Sequence, residues 1–316
     1  MSAQPAPQAS TPAADRAELR ERGSLLAMRL MAWIAVTLGR PVARWLLHPI
    51  ALYFLCFAGA PRRHSARYLR RVFGRAPRWR ERYRHFHTFA STVLDRIYFV
   101  RGQLDAFDLQ MQGDEGVQQM LAANRGCFLI GAHLGSFESL HAAGKTFPDM
   151  RVTMVMYPDN ARKIHSVLQA VAPDFKLAVI AIGNPGSTLA IRDALDAGHL
   201  VGLLGDRHHA EAARSAGVTI PFLGQPALFT DGPLRLAMLL RRRVIFMVGL
   251  FLGGRRYDIR FETMVDFSHP PADPAAREQL VQQALRDYVT RLERLCHEAP
   301  YNWFNFHDFW REDVAR

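Results

Sequence analysis

The chain has 316 residues, 49% hydrophobic and 22% charged, enough for one large α/β core or two small domains. Its formal net charge is +11, carried by arginine far more than lysine, so polyanionic partners are expected: nucleic acid, an anionic membrane face or an acidic protein. Three widely spaced cysteines, Cys56, Cys127 and Cys296, match neither a disulfide framework nor a zinc site and suit a reducing compartment.

Residues 1–23 open on MSAQPAPQASTPAAD, a composition expected to be disordered. No basic segment leads directly into an apolar run with a small-residue cleavage site, so no secretory signal peptide is expected. Residues 24–84 are expected to form a membrane-associating segment. Its apolar part, Ser24–Ala60, divides at Gly39-Arg40-Pro41. Neither half is a clean run of about 20 apolar residues, so the two are read as helices lying in or dipping into a bilayer interface, with one N-terminal span as the alternative. Trp33, Trp45 and Tyr53 suit headgroup depth. A soluble helical hairpin covering the core is the competing reading.

A basic run follows, from Arg62, Arg63 and Arg67 to Arg80, Arg82 and Arg84, with Glu81 as its one acidic residue. Beside an apolar segment it fits the cytoplasmic face of an anionic membrane. It carries no helix-turn-helix, zinc-finger or RNP-type spacing, so nucleic acid is not expected as a partner.

Residues 85–316 read as the catalytic domain. Phe86–Tyr98 and Glu115–Ala123 have helical patterning. The chain then alternates. Strands are expected in the short apolar run that opens Cys127–Leu140 and at Val152–Tyr157, Leu177–Ile182 and Leu200–Gly205, and helices at Asn160–Val171 and Ser187–Ala197. A short strand near Gly217–Gly224 precedes a helix at Asp231–Arg241. Val244–Phe251 and Arg256–Met264 should pair through Gly253-Gly254, and Asp273–His297 should form a long helix. The implied fold is α/β: a mostly parallel central sheet flanked by helices, with one antiparallel edge.

The stretch CFLIGAHLGSFESL (Cys127–Leu140) runs an apolar strand into a Gly-containing turn at the sheet edge, where α/β folds keep their chemistry. It holds His133 and, five residues on, Glu138. An imidazole there can take a proton from an attacking hydroxyl while a carboxylate fixes its tautomer. Gly135 permits the turn, and free N–H groups near Ser136 could stabilise an oxyanion. The G-x-S-x-G setting of a serine nucleophile and the H-E-x-x-H of a metalloprotease are absent. A bare His-x4-Glu is more often a core histidine with an unrelated surface glutamate, but other strand ends add to it. Leu200–Gly205 delivers Asp206, Arg207, His208 and His209, and TIPFLGQPA leads to Thr230 and a helix start. The adjacent His208 and His209 are not expected to bind a metal. Arg162 and Arg207 are candidates to face anionic groups of a substrate.

The segments GAHLGSFE, VGLLGDR, VTIPFLGQPALFTDGPLRLA and APYNWFNFHDFW, in this order, resemble the bacterial lipid A biosynthesis (lauroyl/myristoyl) acyltransferases of the lysophospholipid acyltransferase superfamily. The resemblance implies a membrane-associated O-acyltransferase. It would move a fatty acyl chain from a thioester, usually on acyl carrier protein, to a hydroxyl of a membrane lipid or glycolipid, without metal or cofactor. It implies the cytoplasmic face of the bacterial inner membrane. His133 matches the family base and Glu138 its acidic partner. Asp206 matches the second block and Gly224, Pro226 and Ala227 the third, which shapes the substrate pocket; Asp206, Gly224 and Pro226, with Gly135, Ser136 and Thr230 bordering the same blocks, are expected to bind substrate. Arg207 stands where the family typically has Gln, and the C-terminal aromatic run replaces a basic one. Both departures point to a subgroup serving other glycolipids or lipid-linked aryl-polyene pigments. The alternative is a catalytically inactive adaptor of the same fold that binds membrane or carrier protein, which intact His133, Glu138 and Asp206 argue against.

Overall fold

The computed structural model describes residues 33–113, 115–123, 125–140, 150–158, 178–183, 186–207 and 217–310. The expected helix at Asn160–Val171, most of the first apolar half, Arg162, His208 and His209 lie outside these residues.

Nine strands are described: β1 (Asp108–Gln112), β2 (Phe128–Gly131), β3 (Val152–Met156), β4 (Ala178–Ala181), β5 (Leu200–Leu204), β6 (Val218–Phe222), β7 (Gln225–Phe229), β8 (Arg243–Gly253) and β9 (Arg256–Asp266). Seven form one sheet in the order β1-β9-β8-β2-β5-β3-β4, and β6 with β7 makes a separate hairpin. Every neighbouring pair in the large sheet is parallel except β8 with β9. The central strands are near-continuous apolar runs because both faces are covered. Phe128, Leu129 and Ile130 of β2 sit between β5 and β8 and are buried.

The mostly parallel sheet matches the expectation, with two additions. β1 pairs outside β9, so the antiparallel pair is internal rather than an edge. Its sequence, DLQMQ, alternates between exposed and half-buried and carries no long apolar run. β7 follows β6 after a two-residue turn, and Pro226 disguises it. Proline removes a ladder donor, and here Pro221 faces Pro226 in a two-stranded ribbon that tolerates the loss.

Among the described residues, the helices that flank the strands include α1 (Gly39–Phe57), α2 (Gly59–Phe73), α3 (Trp79–Val100), α4 (Glu115–Ala122), α5 (Ser187–Asp196), α6 (Gly232–Leu239) and α7 (Pro274–Glu298). Asp273 caps α7 by accepting the Ala276 N–H at 2.9 Å, with Pro274 at the first helical position. At the head of α3, Glu81 reaches back to the Arg78 N–H at 2.6 Å and also pairs with Arg75.

α1 falls in the second half of the apolar segment and packs one face on the core. Ala43 and Leu47 share a buried cluster with Leu129 of β2 and Tyr257 of β9. Arg40 is buried beneath it, held to Asp95 by two hydrogen bonds of 2.8 and 2.9 Å, and Tyr257 donates to the same carboxylate at 2.9 Å. Burial would neutralise Asp95, and Arg40 opposes that. The opposite face of α1 is apolar and open: Val42, Trp45, Leu46, Tyr53 and Phe57 are all exposed. Among the described residues no single helix is long and apolar enough to cross a membrane. The pair α1 and α2, bent by 93° at Ala58, meets the test of length and composition together. The arginine run occupies α2, the turn after it and the start of α3.

Candidate active site

The strand register brings the central pair together. Gly131, the last residue of β2, lies opposite Leu204, the last of β5. His133 and Asp206 each follow two residues later and meet across the same edge. The His133 Nδ1 is 2.8 Å from Asp206 Oδ1. The two residues are 73 positions apart in sequence, so only the neighbouring of β2 and β5 in the sheet joins them. The edge is the carboxyl end of parallel strands, where open α/β sheets hold ligands.

Asp206 is buried, with 1% of its side chain exposed, whereas the His133 side chain is 31% exposed. Burial alone would raise the Asp206 carboxyl. The contact with His133, Arg207 and the Trp303 indole overcome it and hold the group well below the usual carboxylate range. An ionised Asp206 accepts the Nδ1–H and leaves the Nε2 lone pair of His133 to act as a base.

The C-terminal segment completes the pair. Trp303 donates its indole N–H to Asp206 Oδ2 at 3.0 Å. Its ring is buried against Tyr68, Phe222 and Phe309 with centroids 5.0, 5.2 and 5.0 Å away. Phe304 donates its backbone N–H to the His133 carbonyl at 2.8 Å, and Gly135 donates to the Asn302 carbonyl at 2.8 Å. The Asn302 amide bonds both the N–H and the carbonyl of Phe251 at the end of β8, at 2.8 and 3.1 Å. Behind this, His85 is fully buried, with Ser65 Oγ 2.8 Å from Nδ1 and the Trp303 carbonyl 2.9 Å from Nε2. Burial, only partly offset by that carbonyl, pulls its pKa down to about 4 and keeps the ring neutral near pH 7.

Glu138 lies apart from His133. Its carboxylate takes a hydrogen bond from Ser136 Oγ at 3.1 Å and pairs with Arg96 of α3 at 3.0 Å. Among the described residues it makes no hydrogen bond or ion pair with His133. The reason is local: the turn after Ser136 opens as one short 3₁₀ segment, Phe137–Ser139, and carries Glu138 toward α3. The carboxylate on the imidazole is Asp206, which was expected to contact substrate. The N–H at Ser136 also differs from expectation, since it bonds the Gly249 carbonyl at 2.8 Å and is not free for an oxyanion. The Ser136 side chain is buried.

Gly135 has φ +70°, and a Cβ there would lie 2.0 Å from the Gly249 carbonyl oxygen. Both facts restrict the site to glycine. Arg207 lies beside the pair, half-buried, with Nη2 3.3 Å from the Phe304 carbonyl, and among the described residues its buried Nε has no acceptor. Gly224 and Pro226 are exposed on the β6–β7 hairpin, whose buried Phe222 packs on Trp303. Thr230 accepts the Gly232 N–H at 3.3 Å at the start of α6. Hence His133, Asp206 and Arg207 come together, Gly135 and Ser136 shape the turn, and the third block supports the aromatic platform. Trp303, Asn302, His85 and Arg96 were not anticipated individually, although the aromatic density of YNWFNFHDFW was a visible signal. No cluster of metal-ligand type is found among the described residues.

The molecule is thus an α/β protein with a carboxylate-bound histidine at the carboxyl end of its parallel strands. A family model described as bacterial lipid A biosynthesis acyltransferase matches residues 18–312, and the chain belongs to that family. Comparison with curated proteins finds no match. Membership makes it an acyltransferase-family protein, and the family implies acyl transfer to a lipid acceptor and is usually associated with the inner membrane.

Proposed function

We propose that this protein is a membrane-associated O-acyltransferase in which His133 is the general base. The observation that carries the reading is the 2.8 Å contact between His133 Nδ1 and buried Asp206, with the imidazole partly open to solvent. The acceptor is a hydroxyl of a membrane lipid or glycolipid. His133 Nε2 removes its proton as the oxygen attacks the carbonyl carbon of an acyl thioester. The C–O bond forms, the C–S bond breaks, and the imidazolium returns the proton to the departing thiolate. Asp206 keeps the imidazole in the productive tautomer. No acyl-enzyme is required.

Acyl carrier protein is the proposed donor carrier. It is acidic, and exposed Arg70, Arg78 and Arg80 present positive charge on α2 and at the start of α3. That surface borders the site, because Tyr68 of α2 packs on Trp303. Arg207 would face anionic groups of the acceptor, as would Arg162, and the departures at Arg207 and the aromatic C-terminus favour an acceptor other than lipid A itself. Residues 24–84 would place the enzyme on the cytoplasmic face of the inner membrane.

The test is transfer of radiolabelled acyl chain from acyl carrier protein to total membrane lipid. His133→Ala should lower turnover by about 10²–10⁴ with an unchanged circular dichroism spectrum. Near-normal transfer by that variant would overturn the base assignment. Absence of lipid-borne label with the wild-type protein would favour the adaptor.

A further inference from the structure

Arg40, Arg44 and His48 recur every four residues along one flank of α1, between its buried face and its open aromatic face. With Arg255 and Gly254 from the β8–β9 turn and exposed Trp45, they line a pocket of about 350 Å³. The charges there are unevenly matched. Arg40 is held by Asp95. Arg255 donates to the Ala106 and Asp105 carbonyls at 2.8 and 2.6 Å, and among the described residues it makes no ion pair with a carboxylate. Arg44 shares Asp95 with Arg40 at longer range, its guanidinium carbon lies 5.8 Å from the Phe251 ring, and among the described residues its buried Nη1 has no hydrogen-bond acceptor. An unsatisfied buried donor on a charged group is costly and calls for a partner, and the partner that fits two guanidinium groups is a tetrahedral oxyanion.

We propose that this pocket holds the phosphate of an anionic phospholipid. The lipid source follows from the surroundings. Val42, Trp45, Leu46 and Tyr53 project from the adjoining face of the same helix, so a phosphate seated on Arg44 and Arg255 would have its acyl chains beside exposed apolar and aromatic surface. The site would fix the depth and rotation of α1 at the bilayer and so aim the edge that bears His133. This inference rests on reading the open α1 face as the membrane-contacting one. It does not depend on the reaction catalysed at His133.

The experiment is flotation of the full chain with vesicles of phosphatidylcholine alone and of phosphatidylcholine with phosphatidylglycerol. Binding to the neutral vesicles reports the apolar face, and the increment from phosphatidylglycerol reports the pocket. Wild type should prefer the anionic vesicles. Arg44→Ala and Arg255→Ala should each reduce the increment by about tenfold and leave neutral binding unchanged, which also shows that the variants are folded. Arg44→Lys should keep part of it. Arg63→Ala removes the same charge from exposed α2 and should change the increment by less than about twofold. Equal losses from Arg44→Ala and Arg63→Ala would mean diffuse attraction and overturn the site. No preference of wild type for phosphatidylglycerol would overturn it as well. Displacement from the vesicles by millimolar inorganic phosphate would reassign the pocket to free anions. Loss of binding to all vesicles by Trp45→Ala with Tyr53→Ala would support the membrane-contacting face.

Discussion

Trp303 donates its indole N–H to Asp206 Oδ2 while Asp206 Oδ1 meets His133, so one buried carboxylate is shared between the C-terminal segment and the histidine. An ionised buried carboxylate needs its oxygens satisfied, and a hydrogen bond to a charged group is worth about 1.5–3 kcal/mol. Trp303→Phe keeps the aromatic packing and removes that one donor. Turnover should fall by roughly tenfold, with a stability loss of about 1–3 kcal/mol by denaturant unfolding. The pH dependence follows from the depressed Asp206 pKa. Its contribution to stability is fully present above the unfolded value near 3.9 and is lost as pH falls toward the folded value. Trp303→Phe should shrink that contribution, so wild type and variant should differ most above about pH 4 and converge in acid. A variant as stable and active as wild type would show that the indole bond is incidental.

His85 links α3 to the same tryptophan through its carbonyl, and it must stay neutral to remain buried. An unfolded histidine titrates near 6.5, whereas burial holds this one at about 4. Between these values the unfolded chain binds the extra proton, so stability is constant above about pH 6.5 and falls as pH drops. The loss should reach roughly 3 kcal/mol at pH 4 from this residue alone. His85→Gln should be less stable than wild type at pH 8 through lost packing, yet show a flatter pH profile between 6.5 and 4. Parallel profiles for the two proteins would remove His85 from this account.

The legible parts of the sequence were those governed by local pattern. β2, β5 and β8 announce themselves because strands buried on both faces are apolar throughout, and α7 carries its Asp-Pro start. β1 was not legible because an edge strand of DLQMQ needs no apolar run, and β7 was masked by Pro226. In the site, His133 was legible as the residue leaving a buried strand into a glycine turn. Its partner was not, because the choice between Glu138 and Asp206 is made by strand order, and β5 lies beside β2 only in the assembled sheet. Proximity in sequence favoured Glu138, and the short 3₁₀ turn sends that side chain elsewhere. The pocket on α1 was equally hidden: Arg255 reaches it from a turn more than two hundred residues away.

Gly135→Ala tests how tightly the turn is defined. A left-handed conformation costs a non-glycine residue about 1–3 kcal/mol, and the added methyl would collide with the Gly249 backbone. The turn would have to move away from β8, taking His133 out of line with Asp206. The expected outcome is loss of transfer activity together with a melting temperature lowered by several degrees. An active, equally stable Gly135→Ala protein would mean that the turn tolerates a different backbone path.

The pairing of Arg96 with Glu138 predicts a coupling that an independent catalytic glutamate would not show. Glu138 is 27% and Arg96 40% exposed at the side chain, so their attraction is screened and the pair itself should add less than about 1 kcal/mol to stability. Its value lies in position: it ties the segment after His133 to α3, the helix that also carries His85. If Glu138 works by holding that segment, Glu138→Gln and Arg96→Ala should lower turnover to a similar extent, and the double variant should be little worse than either. The coupling free energy from the four turnover numbers should then approach the single-variant effect, as expected for residues acting as one unit. If Glu138 instead acts directly on the imidazole or substrate, Glu138→Gln should cost far more than Arg96→Ala and the effects should add. Asp206→Asn gives the scale for comparison, since it alters the carboxylate that touches the imidazole. Its turnover should fall by about 10²–10⁴, further than either member of the Arg96–Glu138 pair.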